Sequence, residues 1–440
     1  MLGQSASLAR VGLAGVCGVL AWGVLWSAPV CGQPREATDE ELGELLGGPS
    51  PEGATEEGAG GFFDPAKLVG ARTLRINGTL DATVFAPTGP SRLGEFGFAE
   101  AGVGLYFGAP VYEDRLYASV ALETGAHTGS GGARLSIETA QLTWAPVTEL
   151  QVVAGLFLVP FGLEDGDHAS PQNPLVTRPL SFAGAVVYPG TWSDAGVSVE
   201  ALAAWAGSLR VYVVAGNLVH RRSDLREAQG FVNQAQGLVE GLETVQQAHS
   251  FSGNLQSRDA TTLRSYGARL RLNKLVSGLD VGGSAIAGQH GRRGDAIGLE
   301  LWTWGLGAHV DLELGVMLAG VLGAVWPLPQ VRAELVVLQE DRAVPVGPDF
   351  SSYAWQGRGR SGGYVLVVQP LVFDVDLVAR YDEFEPDTGE SGDRGLELSV
   401  GLRWRPAPGV FLKLEGQFTD AQGRAQTGGN SVATQAAVAW

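Results

Sequence analysis

The chain has 440 residues, of which 18% are charged, 45% are apolar and 64 are glycine. Its formal charge of −17 sets it against nucleic acid as a partner. Lysine is confined to Lys67, Lys274 and Lys413, and cysteine to Cys17 and Cys31, so the bulk of the chain has no thiol or disulfide chemistry.

Residues 1–32 have the layout of a secretory signal: Arg10 ahead of an apolar core over 11–26, then Ala28 or Gly32 as the residue before a cut. Residues 33–71 follow as a different material. Glu36, Asp39, Glu40, Glu41, Glu44, Glu52, Glu56, Glu57 and Asp64 stand there against Arg35, among glycine and proline. Such a segment has too little apolar surface to fold alone and is expected to be a mostly disordered periplasmic spacer.

From residue 72 to 440 the pattern changes to a period of two. Leu74, Ile76, Leu80, Ala82 and Val84 fall on one face, and Arg75, Asn77, Thr79, Asp81 and Thr83 on the other. The rhythm recurs late in the chain. In 371–383, Phe373, Val375, Leu377, Ala379 and Tyr381 alternate with Asp374, Asp376, Arg380 and Asp382. In 394–405, Leu396, Leu398, Val400, Leu402 and Trp404 alternate with Glu397, Ser399, Arg403 and Arg405. In 410–420, Val410, Leu412, Leu414 and Phe418 alternate with Lys413, Glu415, Gln417 and Thr419.

An apolar face and a polar face also describe a soluble sandwich. Three features favour a membrane barrel. The polar faces carry charge along nearly their whole length. Short turns at 145–149, 206–208, 326–329 and 405–409 alternate with long connections at 159–191, 217–262 and 339–358, as periplasmic turns alternate with extracellular loops. Trp144, Trp205, Trp326, Trp404 and Trp440 sit beside short turns or the terminus, where an aromatic girdle belongs. The last strand, with Val432, Thr434, Ala436, Val438 and Trp440 on one face, has the form of a signal for the outer-membrane assembly machinery.

The expected fold is therefore all-β: a transmembrane antiparallel up-and-down barrel of about 16 strands, with 18 as the alternative. The count runs cleanly from 72 to about 273 and back from 440 to about 316. Its parity is open in 274–315. Barrels of this width leave an aqueous channel.

Chemistry-bearing motifs are few. His127, His168, His220, His249, His290 and His309 show no metal-ligand spacing on a strand face, and no metal or cofactor is expected. No nucleophile motif points to an enzyme. Arg75, Arg269, Arg271, Arg332, Arg380, Arg403, Arg405 and Lys413 fall on polar faces, as do Asp374, Asp376 and Glu397, and these are the pore-lining candidates. The simpler expectation for the basic ones is cross-strand pairing with Asp81, Glu334, Asp374, Asp376, Glu397 and Glu415. Phe231, Leu238, Leu242 and Val245 give the 217–262 loop a helical look over 225–248.

One stretch carries a specific resemblance. It runs from Asp114 to Glu123, through Ala140 to Pro146, and ends on Leu150 to Glu164, where Gly155, Phe157, Pro160, Phe161 and Gly162 form Gly-x-Phe-x-x-Pro-Phe-Gly. With the later Tyr188 to Gly196, this resembles the phosphate-selective porin O and P family over about 100–206. The resemblance implies a sixteen-stranded outer-membrane barrel, usually a homotrimer, passing small hydrophilic solutes or ions. It also implies that the third long loop, here 159–191 with Glu164, Asp165, Asp167 and Arg178, folds inward as the constriction. The chain departs from the family in charge, being lysine-poor and acidic, so weak selectivity is expected in place of phosphate specificity. A structural or adhesive barrel without open-pore transport is the competing reading.

Overall fold

In the computed structural model the described residues are 74–87, 97–112, 115–127, 132–163, 170–179, 187, 192–203, 205–215, 264–291, 301–322, 327–346, 352–385, 387–389, 394–421 and 430–440. The signal and acidic segments, the 217–262 loop, Glu164, Asp165, Asp167 and Trp326 lie outside them.

The strands follow in chain order: β1 Arg75–Pro87, β2 Gly97–Tyr112, β3 Leu116–His127, β4 Gly132–Val147, β5 Leu150–Leu158, β6 Ser193–Ala203, β7 Gly207–Val214 and β8 Ser265–Val276. Then come β9 Leu279–Gly291, β10 Leu301–Glu313, a helix α1 Leu314–Leu322, β11 Gln330–Val346, β12 Ser352–Pro370, β13 Val375–Glu385, β14 Gly395–Ala407, β15 Val410–Ala421 and β16 Ser431–Ala439. Each strand pairs antiparallel with its sequence neighbours, and β1 pairs with β16, so the sheet is a closed barrel. Closure removes the two free edges that an open sheet would present.

The seam is finished by the terminal residue. Gly78 N donates to Trp440 O and Trp440 N donates to Gly78 O, both at 3.1 Å. The Trp440 indole lies in the space a side chain at residue 78 would fill, so only glycine leaves room for it.

The period-two pattern sorts the two faces as expected. Leu74, Ile76, Leu80, Leu377, Tyr381, Leu398, Val400, Leu402, Leu412, Leu414, Phe418, Val432 and Val438 are exposed on the outside. Their polar alternates Thr79, Thr83, Asp376, Arg380, Asp382, Glu397, Ser399, Lys413, Glu415 and Gln417 are buried on the inside. A surface so apolar over its whole girth suits hydrocarbon, not water. Trp144, Trp205, Trp404 and Trp440 are exposed at the short-turn end.

Three local expectations are corrected. The strand read backward to about 316 is α1: Leu-Gly-Val-Met-Leu-Ala-Gly-Val-Leu has no polar alternates to turn inward and is rich in good helix formers. With that segment helical, β9 and β10 fill the 274–315 interval and the count is sixteen. The connection expected at 339–358 is mostly strand, because β11 and β12 run on as a hairpin of 17 and 19 residues. Asp374 is not on a strand face; it sits in the turn before β13 with a left-handed backbone, as does Phe373.

Candidate functional site: the lumen and its crossing loop

The site is built where β5 ends. Gly155 and Gly162 both have positive φ, 124° and 75°; Gly155 is still paired with Gly196 inside β5, and Gly162 lies past the strand's end at Leu158, where the chain leaves the wall. A side chain at 155 would run into the Ala140 carbonyl, and one at 162 into the Glu334 carboxylate. Between them Phe157, Val159 and Phe161 are buried. Phe161 lies against Gly307 of β10. The motif Gly-x-Phe-x-x-Pro-Phe-Gly thus has a mechanical meaning: Gly155 lets β5 pass close to the Ala140 carbonyl, Phe161 reaches β10 and Gly162 turns the chain beyond the strand.

The first landing point is on β9 and β11. Gly162 N donates to Ser284 Oγ at 2.9 Å, and Leu163 N donates to Glu334 Oε1 at 3.0 Å. Arg269 of β8 reaches the Gly162 carbonyl at 3.4 Å.

The second landing point, residues 170–179, is on β13–β15 and β1. Ser170 Oγ donates to Asp81 at 2.9 Å. Lys413 donates to the Ser170 and Leu175 carbonyls and to Gln435. Leu175 packs where Gly401 leaves the inner face of β14 bare. Glu415, fully buried, takes three hydrogen bonds from the loop: Val176 N at 2.7 Å, Thr177 N at 2.8 Å and Thr177 Oγ1 at 2.6 Å. Arg380 donates to the Thr177 carbonyl at 2.6 Å and the Arg178 carbonyl at 3.0 Å. The loop returns through Trp192, whose carbonyl accepts from Val159 N at 2.7 Å.

Under the loop the inner wall is apolar. Val153, Phe157, Tyr212, Val214, Ile286, Val336, Leu338, Tyr364, Leu366, Val378 and Phe384 form one buried cluster with the loop's own Val159, Phe161, Leu175, Val187 and Trp192. The lumen therefore holds the loop both by apolar burial and by hydrogen bonds, and β9, β11 and β13 supply both.

Most candidate lining residues are found in ion pairs. Arg332 meets Asp311 at 2.9 Å and Arg403 meets Asp376 at 2.8 Å, while Arg405 reaches the same Asp376 at 3.4 Å. Arg380 lies between Asp382 at 2.6 Å and Glu397 at 3.4 Å. Arg271 pairs with Asp280. Glu397 also accepts from Ser399, Gln417 and Thr419. Arg75 is exposed on β1 near the short-turn end. Arg178 is described and half-buried in the loop. The arginines of β8 and β14 are separated by five strands in the sheet order.

Sequence reasoning missed Asp280, Asp311, Glu340, Arg358 and Arg360, the last pairing with Glu340 at 2.7 Å. Their signal was the phase of β9, β10, β11 and β12, blurred by glycine in all but β11. It also missed the apolar inner cluster, which breaks the rule that the inside face is the polar one. Among the described residues no group of three or more His, Cys, Asp or Glu is placed to hold a metal ion.

No family model and no curated protein matches the sequence. Solved structures do match the fold. The barrel is similar to the outer membrane channel DcaP of Acinetobacter baumannii, with TM-score 0.51 and 12% identity over 86% of this chain and 99% of that one. It is similar to an anion-selective porin from Comamonas acidovorans, with TM-score 0.51 and 10% identity over 83% of this chain and 98% of that one. It is also similar to Salmonella typhi OmpF, solved in complex with daunomycin, with TM-score 0.50 and 10% identity over 84% of this chain and 98% of that one. At such identities the likeness is one of fold, and the fold is the closed sixteen-stranded antiparallel barrel of the porins.

Proposed function

We propose that this chain is an outer-membrane porin: a passive, water-filled channel for small hydrophilic solutes or ions, with weak charge selectivity. The carrying observation is the loop that leaves β5 and is pinned to β9, β11, β13, β15 and β1. It crosses a lumen that sixteen strands make too wide for side chains alone to fill. A passage so narrowed is a size filter. Its walls present many charges, but the arginines stand beside carboxylates, so neither sign dominates. Weak selectivity follows, and the phosphate preference of the O and P porins is not proposed here. Catalysis is not proposed either; the charged groups of the lumen serve to hold the loop and the wall. Export by residues 1–32, assembly through the terminal strand and a homotrimeric state complete the reading.

A second reading is a structural or adhesive barrel. The observation favouring it is the apolar cluster beneath the loop, which belongs to a plug as much as to a constriction. Planar-bilayer recordings separate the two. Discrete open steps in the purified, refolded protein support the channel; a silent barrel that is correctly folded supports the plug.

A further inference from the structure

Helix α1 links β10 to β11 at the short-turn end, where the other described turns are mixed: Thr148, Glu149 and Asp374 are exposed there, and so are Trp205, Leu371, Val372 and Phe373. From 314 to 329 there is no charged residue. A helix apolar on every side is not a rim element of a water-facing turn; it belongs in a protein core or in hydrocarbon. Among its described residues, core is not what surrounds Val316 and Met317. Val316 is 50% exposed and Met317 is 37% exposed. The helix start rests on the β8–β9 turn, where Gly278 O accepts from Glu313 N at 2.7 Å and a side chain at 278 would meet Val316 and the Met317 amide.

Beside the exposed side of α1, Leu275 and Val276, at the turn it leans on, are exposed, and farther along the outer wall so are Leu306 of β10 and Leu335 of β11. We propose that α1 lies in the hydrocarbon of the periplasmic leaflet, as a lipid-embedded foot that sets the depth of the barrel in the membrane. This rests on the outer-membrane reading. A second copy of the chain is the less fitting occupant, because it would cover one face of a helix that is apolar on all of them.

Site-directed nitroxides test it. In the full chain with Cys17 and Cys31 replaced by serine, Val316→Cys and Met317→Cys are spin-labelled and refolded into phosphatidylethanolamine–phosphatidylglycerol vesicles. Leu398→Cys on the outer wall and Glu149→Cys in a short turn are the lipid and water references. Labels at 316 and 317 are expected to collide with oxygen several-fold more, relative to a nickel chelate, than the label at 149 does, and to match the one at 398. Nickel accessibility like that at 149 overturns the proposal in favour of water. Protection from both reagents overturns it in favour of protein contact. If the label at 398 itself reports water, the outer-membrane reading falls and takes the proposal with it.

Discussion

The Glu415 carboxylate holds Thr177 by two bonds, one from its amide at 2.8 Å and one from its hydroxyl at 2.6 Å, across 238 positions of sequence. A buried carboxylate is stable only where donors replace the water it has lost. Here the loop supplies the donors, and so the wall and the loop stabilise each other.

Glu415→Ala should therefore release the loop. It removes the acceptor of three loop hydrogen bonds, at about 1–3 kcal/mol for each donor left buried without a partner. Single-channel recordings should show larger steps and rapid flicker as the freed loop samples the lumen. Steps of unchanged size and noise would mean that the apolar contacts alone hold it.

Gly162 and Glu334 are coupled by space. Gly162→Ala meets both a left-handed backbone, costing about 1–2 kcal/mol, and the Glu334 carboxylate that lies where the new methyl would go. The substitution should cost less in a Glu334→Ala background, because the collision is gone. Urea titrations of the two single variants and the double variant give the coupling; additivity would show that the backbone strain is the whole effect.

The outer wall offers a test of strand phase. Leu398 is exposed on the outside and Gln417 is buried on the inside, hydrogen-bonded to Thr177 and Glu397. An arginine near the middle of the lipid face costs roughly 2–4 kcal/mol. Leu398→Arg should destabilise the refolded barrel by about that much. Gln417→Arg, which sets a cation beside Glu397 and Glu415, should destabilise it clearly less. Equal losses would put both side chains in one environment.

The same pair of residues shows what the sequence can and cannot disclose. Leu398 and Gln417 lie in β14 and β15, where every second residue is apolar, and their faces were legible because a lipid-exposed strand must alternate. Val336, Leu338, Leu366 and Val378 were not legible, because they are apolar on the inner face, where the loop and not lipid covers them. The helix was misread since a uniform apolar run has no period to report. Asp280 and Asp311 went unnoticed among glycines, and no local pattern could couple Glu415 to a loop so distant in sequence. Strand existence is a local property; what fills the lumen is a matter of contacts made after closure.

At the seam, Gly78→Val should impair assembly. The new side chain takes the place of the Trp440 indole at the junction of β1 and β16. The amount of heat-modifiable barrel recovered from the outer membrane should fall, and Trp440→Ala should partly rescue it by vacating the space. Failure of that rescue would show that the indole is needed for a reason other than packing on residue 78.

The last prediction concerns charge selectivity. A narrow passage with low-dielectric walls focuses the field of any unbalanced charge, so selectivity depends on which ions in the wall lack a partner. Asp376 is the shared partner of Arg403 and Arg405 and is itself buried on β13. One carboxylate meets two guanidinium groups, and the local excess is modest. Asp376→Asn removes the carboxylate and leaves both arginines on the wall, so the cation-to-anion permeability ratio should fall, read as a shifted reversal potential across a salt gradient. Arg403→Ala should shift it the opposite way, by less, because Arg405 still faces Asp376. The double variant should return close to the parent value, which also guards against a single variant that folds poorly. Should the parent pore already prefer anions strongly, and Asp376→Asn leave that preference unchanged, the pairing of wall charges would not be what sets its selectivity.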